Sequence, residues 1–191
     1  MIAHGAGGIQ SDSEYYQTNS KESLMKSIED GKKLIEFDFQ ETSDGVIVGS
    51  HHWEYTKKNS DYSGVIDNRP LSLEDFKKLK LNNTLTPIDI NEINEIFKNH
   101  PDLILVTDKI TNFELITQQF HWIDRLIVEC FSYDECLDAM DFGIENVALN
   151  IKIDVSEKLL KRKIDLLKSM DIKMLTFNAK TIQDNVTAMN N

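Results

Sequence analysis

A parallel α/β fold is predicted by two features of the sequence. Short apolar runs alternate with amphipathic stretches along the chain, the signature of repeated strand–helix units. The first apolar runs end in ionisable residues: His4, then Glu36 with Asp38, then His51, then Asp108 with Lys109. Parallel α/β barrels gather their chemistry at those carboxyl ends of strands. With 191 residues the chain can bury a core without disulfides or structural zinc, and no linker or charge block divides it. One domain over residues 1–191 is therefore expected.

The elements follow in order. Ile2-Ala3-His4 opens as a very short strand, trailed by Gly5, Gly7 and Gly8. Residues 19–30 predict a helix, with Asn19 and Glu22 at capping-box spacing, Leu24 and Ile28 on one face, and Gly31 as its end. LIEFDF at 34–39 alternates strictly, with Leu34, Glu36 and Asp38 on one side of a strand and Ile35, Phe37 and Phe39 on the other. Ser43-Asp44-Gly45 is a turn, too short for a crossover helix, into a third strand over 46–51. Residues 52–70 are polar and aromatic without period and predict a long loop. Helices are expected over 72–80, 89–98, 111–121 and 133–142, and strands over 103–108, 125–130, 146–151 and 173–178. The clearest helical pattern lies at 155–170, where Leu159, Leu160, Ile164, Leu167 and Met170 fall on or near one face; a last helix is expected over 181–189. Seven strands result.

Composition narrows the function. Lys and Arg number 21 against 32 Asp and Glu, a net charge of -11, which argues against a nucleic-acid backbone or an anionic membrane as main partner. A small phosphate substrate stays open, because a bound metal reverses the local field. No apolar run approaches the roughly 18 residues of a membrane span, and no basic segment precedes an apolar one at the start, so no signal peptide and a cytoplasmic location are expected. Cys130 and Cys136 are spaced too widely for a CxxC motif and are expected to be reduced and structural.

Glu36 and Asp38, two residues apart on a strand, project from the same face. On the surface they would be an ordinary solvated edge of an alternating strand. Inside a barrel they would repel each other and lose solvation, and a divalent cation is the simplest remedy. Oxygen-only ligands favour a hard ion, magnesium or calcium. His4 and His51, each unremarkable alone, suit a general acid and base when placed together beside such ligands. Lys109 is either solvated or set to offset phosphate charge. His52 points elsewhere if the strand continues, and His100 and His121 fall in helical or turn contexts.

These residues in this order resemble the glycerophosphodiester phosphodiesterase family, within the wider group of phosphatidylinositol-phospholipase-C-like phosphodiesterases. The match runs through IAHGAGG at 2–8, TNSKESL at 18–24 and LIEFDFQETSDGVIVGSHHW at 34–53. LILVTDK at 103–109 resembles the strand that supplies a third metal carboxylate, and IVECFSYDECLDAM and KMLTFNAKTIQD resemble later strand–helix units. The resemblance implies a TIM-type (β/α) barrel. It implies metal-dependent hydrolysis of glycerophosphodiester-type substrates, with His4 and His51 as the acid–base pair. Glu36, Asp38 and Asp108 are then ligands of Mg2+ or Ca2+. Asn19 matches the family's asparagine before the first helix, set to orient His51 or the phosphate. Lys109 stands one residue after Asp108, where relatives often carry lysine two residues on.

The sequence departs from the family pattern in three places. Gly5 stands where many members have a phosphate-binding arginine, His52 replaces the aspartate that usually follows the second histidine, and no eighth strand follows KMLTFN. A (β/α)8 barrel typically takes about 250 residues, so the barrel is expected to lack its eighth strand. Its open edges would then be covered by a partner copy in a homo-oligomer or by another segment, or the chain is truncated at its C-terminus. The competing expectation is a non-catalytic barrel that binds phosphate or metal.

Overall fold

The structure, a computed structural model, describes residues 2–7, 14–150 and 165–176. The chain divides into two compact units, Met1–Leu126 and Ile127–Asn191. In the first, β1 (Ile2–Ala3), β2 (Leu34–Glu36) and β5 (Ile104–Thr107) run parallel, with Ile2 opposite Leu34 and Leu34 opposite Ile104. Helices α1 (Lys21–Glu29) and α4 (Ile90–Asn99) lie between these strands in the chain, and α5 (Phe113–Gln119) follows β5. In the second unit β6 (Leu126–Cys130, its first residue the last of the first unit), β7 (Val147–Asn150) and β8 (Met174–Thr176) run parallel, with α6 (Tyr133–Asp141) between the first two. No helix among the described residues is long and apolar enough to cross a membrane.

The strand expected over 34–39 breaks in two. Its first half is β2; its last residue, Phe39, opens β3 (Phe39–Glu41), which turns away and pairs antiparallel with β4 (Ile47–Gly49), Phe39 opposite Gly49. The third expected strand thus belongs to a hairpin, and the parallel strands number three in each unit, six rather than seven among the described residues. The turn is closed by Gly45 at φ +79 with its N–H on Thr42 O, a geometry that leaves no length for a crossover.

Helix boundaries follow their caps. Ser20, not Asn19, caps α1, in a reciprocal pair with Ser23, so the spacing of Asn19 and Glu22 misidentified the box. Glu22 instead accepts from the Thr86 hydroxyl and N–H. Asp89 and Glu92 form the corresponding box on α4. Within the expected 52–70 loop lies a helix, α2 (Trp53–Lys58), and α3 (Leu73–Lys78) follows it. Trp53 drives α2 onto the body of the unit: its ring meets Phe76 edge-on at 5.8 Å, in a buried cluster with Val48, Leu71 and Leu79. The helices expected at 155–170 and 181–189 lie wholly or mostly outside the described residues; 165–169 are helical. Cys130 and Cys136 are free and buried, and burial pushes both thiols up, away from the reactive thiolate.

The loop after α2 is tied down by a buried lysine. Lys57 Nζ bonds Asp67 Oδ1 at 2.6 Å and Arg69 O at 2.8 Å, and Arg69 bonds the same carboxylate. These two cations hold Asp67 at about 2. A carboxyl lowered in the folded state contributes stability above its unfolded value, about 3.9, and that contribution is lost as pH falls toward the folded one. Asp67→Asn is therefore expected to flatten the loss of thermal stability between about pH 4 and pH 2, read from melting curves across that range; an unchanged slope would show the ion pair to be inert.

Gly49 carries a second expectation. A Cβ there would stand 2.7 Å from the carbonyl of Asn19, so Gly49→Ala must displace backbone beside the acidic residues described next. A loss of about 1–3 kcal/mol is expected on denaturant unfolding, as for other overpacked sites.

Candidate active site

Three acidic side chains meet at the carboxyl ends of β2 and β5. Glu36 ends β2, Asp38 follows by two residues at the break that starts the hairpin, and Asp108 follows β5. Each offers a carboxylate oxygen, and the three oxygens lie within 4.8 Å of one another. Glu36 is 4% exposed and Asp38 3%. The alternation expected over 34–39 therefore points inward, and the solvated-edge alternative is excluded.

Burial pushes the Glu36 carboxyl up, and the charge of Asp38 adds to this against the pull of His4 and Gly5. His4 Nδ1 lies 2.7 Å from Glu36 Oε2, and the Gly5 N–H donates to the same oxygen at 2.5 Å. The contact with Glu36 holds the His4 imidazole above its ordinary range despite partial burial. Glu36 Oε1 is buried with no hydrogen-bond partner among the described residues. An orphaned carboxylate oxygen beside a second buried carboxylate is what a cation relieves, and an all-oxygen set fits a hard ion. The residues thus fit a divalent cation.

Asn19 orients the second acid. At φ +50, a conformation asparagine tolerates better than most residues, its Nδ2 donates to Asp38 Oδ2 at 2.9 Å and its Oδ1 accepts from Asp38 N at 3.0 Å. The amide expected at His51 or the phosphate is engaged by Asp38. Lys109 Nζ bonds Asp108 Oδ2 at 3.1 Å; burial works to lower its ammonium, but Asp108 outweighs that, with help from Asp38 and Glu36, and holds it above the usual lysine range. A cation of fixed charge therefore stands beside the acids.

His51 lies just beyond β4, exposed, its ring against His52 at 4.9 Å and Tyr55 at 5.8 Å. It lines a cleft whose wall it shares with Asn19, the residue that holds Asp38. The residues marked in the sequence thus fall into one region of the first unit. His52 plays a separate, structural part, since its Nδ1 accepts the Tyr55 N–H and caps α2. Histidine is not a usual cap, so nothing in the sequence signalled that helix. The Gly5 N–H was missed for a similar reason, since a backbone donor has no residue signature.

The family model described as glycerophosphoryl diester phosphodiesterase matches residues 10–184. No curated protein matches the chain. Among solved structures, a candidate glycerophosphoryl diester phosphodiesterase of Agrobacterium tumefaciens superposes with a TM-score of 0.71 at 14% identity, over 94% of this chain and 75% of that one. A phosphodiesterase of Oleispira antarctica, solved with its product sn-glycerol-3-phosphate, gives 0.64 at 20% identity over 98% and 80%. A glycerophosphodiester phosphodiesterase of Thermotoga maritima gives 0.63 at 19% over 92% and 72%. These likenesses and the parallel strand–helix order establish a TIM-type (β/α) barrel fold.

Proposed function

Because the chain belongs to the glycerophosphoryl diester phosphodiesterase family, we propose that it hydrolyses glycerophosphodiesters, with Glu36, Asp38 and Asp108 holding Mg2+ or Ca2+ and with His4 and His51 exchanging protons. Phosphodiester hydrolysis is the activity that this membership carries. The observations that support the cation requirement are the convergence of the three acids and the orphaned oxygen of Glu36. A divalent cation there would neutralise phosphate charge and make a nearby hydroxyl or water easier to deprotonate.

The chain's own groups do the rest. Asn19 fixes the rotamer of Asp38 by its two-point contact. Lys109 adds positive charge for the phosphate. His4, poised on Glu36, carries a proton at the acid cluster, while exposed His51 stands at the surface on a wall it shares with Asn19. One imidazole takes the proton of the attacking hydroxyl and the other returns one to the departing alkoxide, so no strong free acid or base is needed.

The test is hydrolysis of a panel of glycerol- and inositol-phosphodiesters by the purified chain. Release of the alcohol that stops with EDTA and returns with Mg2+ or Ca2+ is expected. Cation-saturated protein that cleaves none of the panel would overturn the proposal, and binding without turnover would mark a non-catalytic barrel.

A further inference from the structure

We propose that His52 is a positioning residue for His51, and that it holds His51 in place only while its own imidazole is neutral. The link to catalysis rests on the phosphodiesterase function proposed above; the switch in His52 does not.

The switch is a helix cap built on a titratable group. His52 Nδ1 accepts the Tyr55 N–H at 3.1 Å, at the third position of α2. The capping oxygens of serine, threonine and asparagine keep their lone pairs across the physiological pH range. An imidazole does not. Neutral, it has one ring nitrogen that accepts; protonated, both nitrogens carry hydrogen, and Nδ1 would turn an N–H toward the N–H of Tyr55. The cap is therefore complete while the ring is neutral. It is lost as pH falls through the range in which imidazoles gain a proton, between about pH 8 and pH 5.

The cap also fixes what surrounds His51. It ties Tyr55 to His52, whose rings meet edge-on at 5.7 Å. His51 packs on both, at 4.9 Å from His52 and 5.8 Å from Tyr55. Among the described residues, the side-chain hydrogen bond that reaches His51 goes to its backbone carbonyl, from Gln40 Nε2 at 3.4 Å. The imidazole of His51 is thus placed by its two ring neighbours.

Release is confined to the first turn of α2. Trp53 is anchored on Phe76, the Thr56 hydroxyl pairs with Ser50 at 2.7 Å, and Lys57 is bound to Asp67. The charged and titratable groups around this turn are few. Glu54 follows His52 and donates its N–H to Asn68 Oδ1. Asp67 and Arg69 flank Asn68 and bind each other, and Asp67, held at about 2, stays charged throughout. On the hairpin side Glu41 takes the Trp53 indole N–H on its carbonyl and the Asn112 amide on its carboxylate. His51 and Tyr55 are the groups whose rings touch His52, so the test changes residue 52 and leaves both in place.

His52→Asn keeps a capping side chain that does not titrate. Protection of the Tyr55 amide against hydrogen exchange, corrected for the intrinsic rate at each pH, is measured from pH 8 to pH 5 in wild type and in this variant. Wild type is expected to lose about fivefold, the worth of one cap, and His52→Asn to lose little. Over the same range kcat of His52→Asn relative to wild type is expected to rise about fivefold, since the variant keeps the cap that wild type loses. Equal pH dependence of Tyr55 protection in the two proteins overturns the switch. A switch at Tyr55 with a constant ratio of kcat overturns the positioning of His51. PH-dependent protection in wild type alone, with no cleavage of any diester by either protein, leaves the switch standing and sinks the catalytic proposal instead.

Discussion

His4→Ala and His51→Ala are each expected to lower kcat on a glycerophosphodiester by about 10²–10⁴-fold, the usual worth of a positioned acid or base. The two variants should fail for different structural reasons. His4 shares Glu36 Oε2 with the Gly5 N–H, so its loss leaves that oxygen one donor and frees a proton position at the acids. His51 makes ring contacts with His52 and Tyr55 at the surface, so its removal should leave the fold and the cation affinity nearly unchanged. His52→Ala supplies the contrast within the same dipeptide. It removes the α2 cap, which typically costs about 1 kcal/mol, and should show in thermal melting while kcat falls less than about tenfold. Full activity in either His4→Ala or His51→Ala would refute the assigned roles. A collapse in His52→Ala at temperatures where it stays folded would move the chemistry to the neighbour.

The difference between those neighbours shows what the sequence could and could not reveal. Strict alternation through Glu36, Phe37 and Asp38 located the acids, because period two puts the carboxylates on the face opposite the phenylalanines, and Phe37 and Phe39 are indeed fully buried. The break between Glu36 and Phe39 could not be seen, since alternation is identical in one long strand and in two short ones that part company. It is set by tertiary pairing: Phe37 N still bonds Val106 O in the parallel ladder, while Ser50 N already bonds Asp38 O across the hairpin. The position of His51 follows from that exchange of partners. Helix α2 was hidden because its anchor is a tertiary contact, Trp53 on Phe76, and its cap is a histidine. Asn19 was marked but its partner was not, for the amide reaches across 19 residues to Asp38 instead of down its own helix.

Glu36→Gln should change the protein's stability in opposite directions with and without cation. In EDTA the wild-type chain carries three acids whose ligating oxygens lie within 4.8 Å, with Glu36 pushed toward its protonated form by burial. The amide removes one buried charge while keeping an oxygen for His4 and Gly5, so the variant should melt no lower than wild type. Added Mg2+ or Ca2+ reverses the order. A cation at a hundred times its Kd adds about 2.7 kcal/mol to the state that binds it, and wild type should gain that while Glu36→Gln gains little. Asn19→Gly, which keeps the positive φ but loses both contacts with Asp38, belongs between them. Loss of such an orienting partner typically weakens a metal site about 10–100-fold, so its cation-induced rise in melting temperature should need correspondingly more cation. The same pattern in kcat, with hydrolysis lost in Glu36→Gln and recovered in Asn19→Gly at high cation, would tie the catalytic requirement to this cluster. Equal cation-induced stabilisation of wild type and Glu36→Gln would place the ion elsewhere and leave the three acids as a buried structural strain.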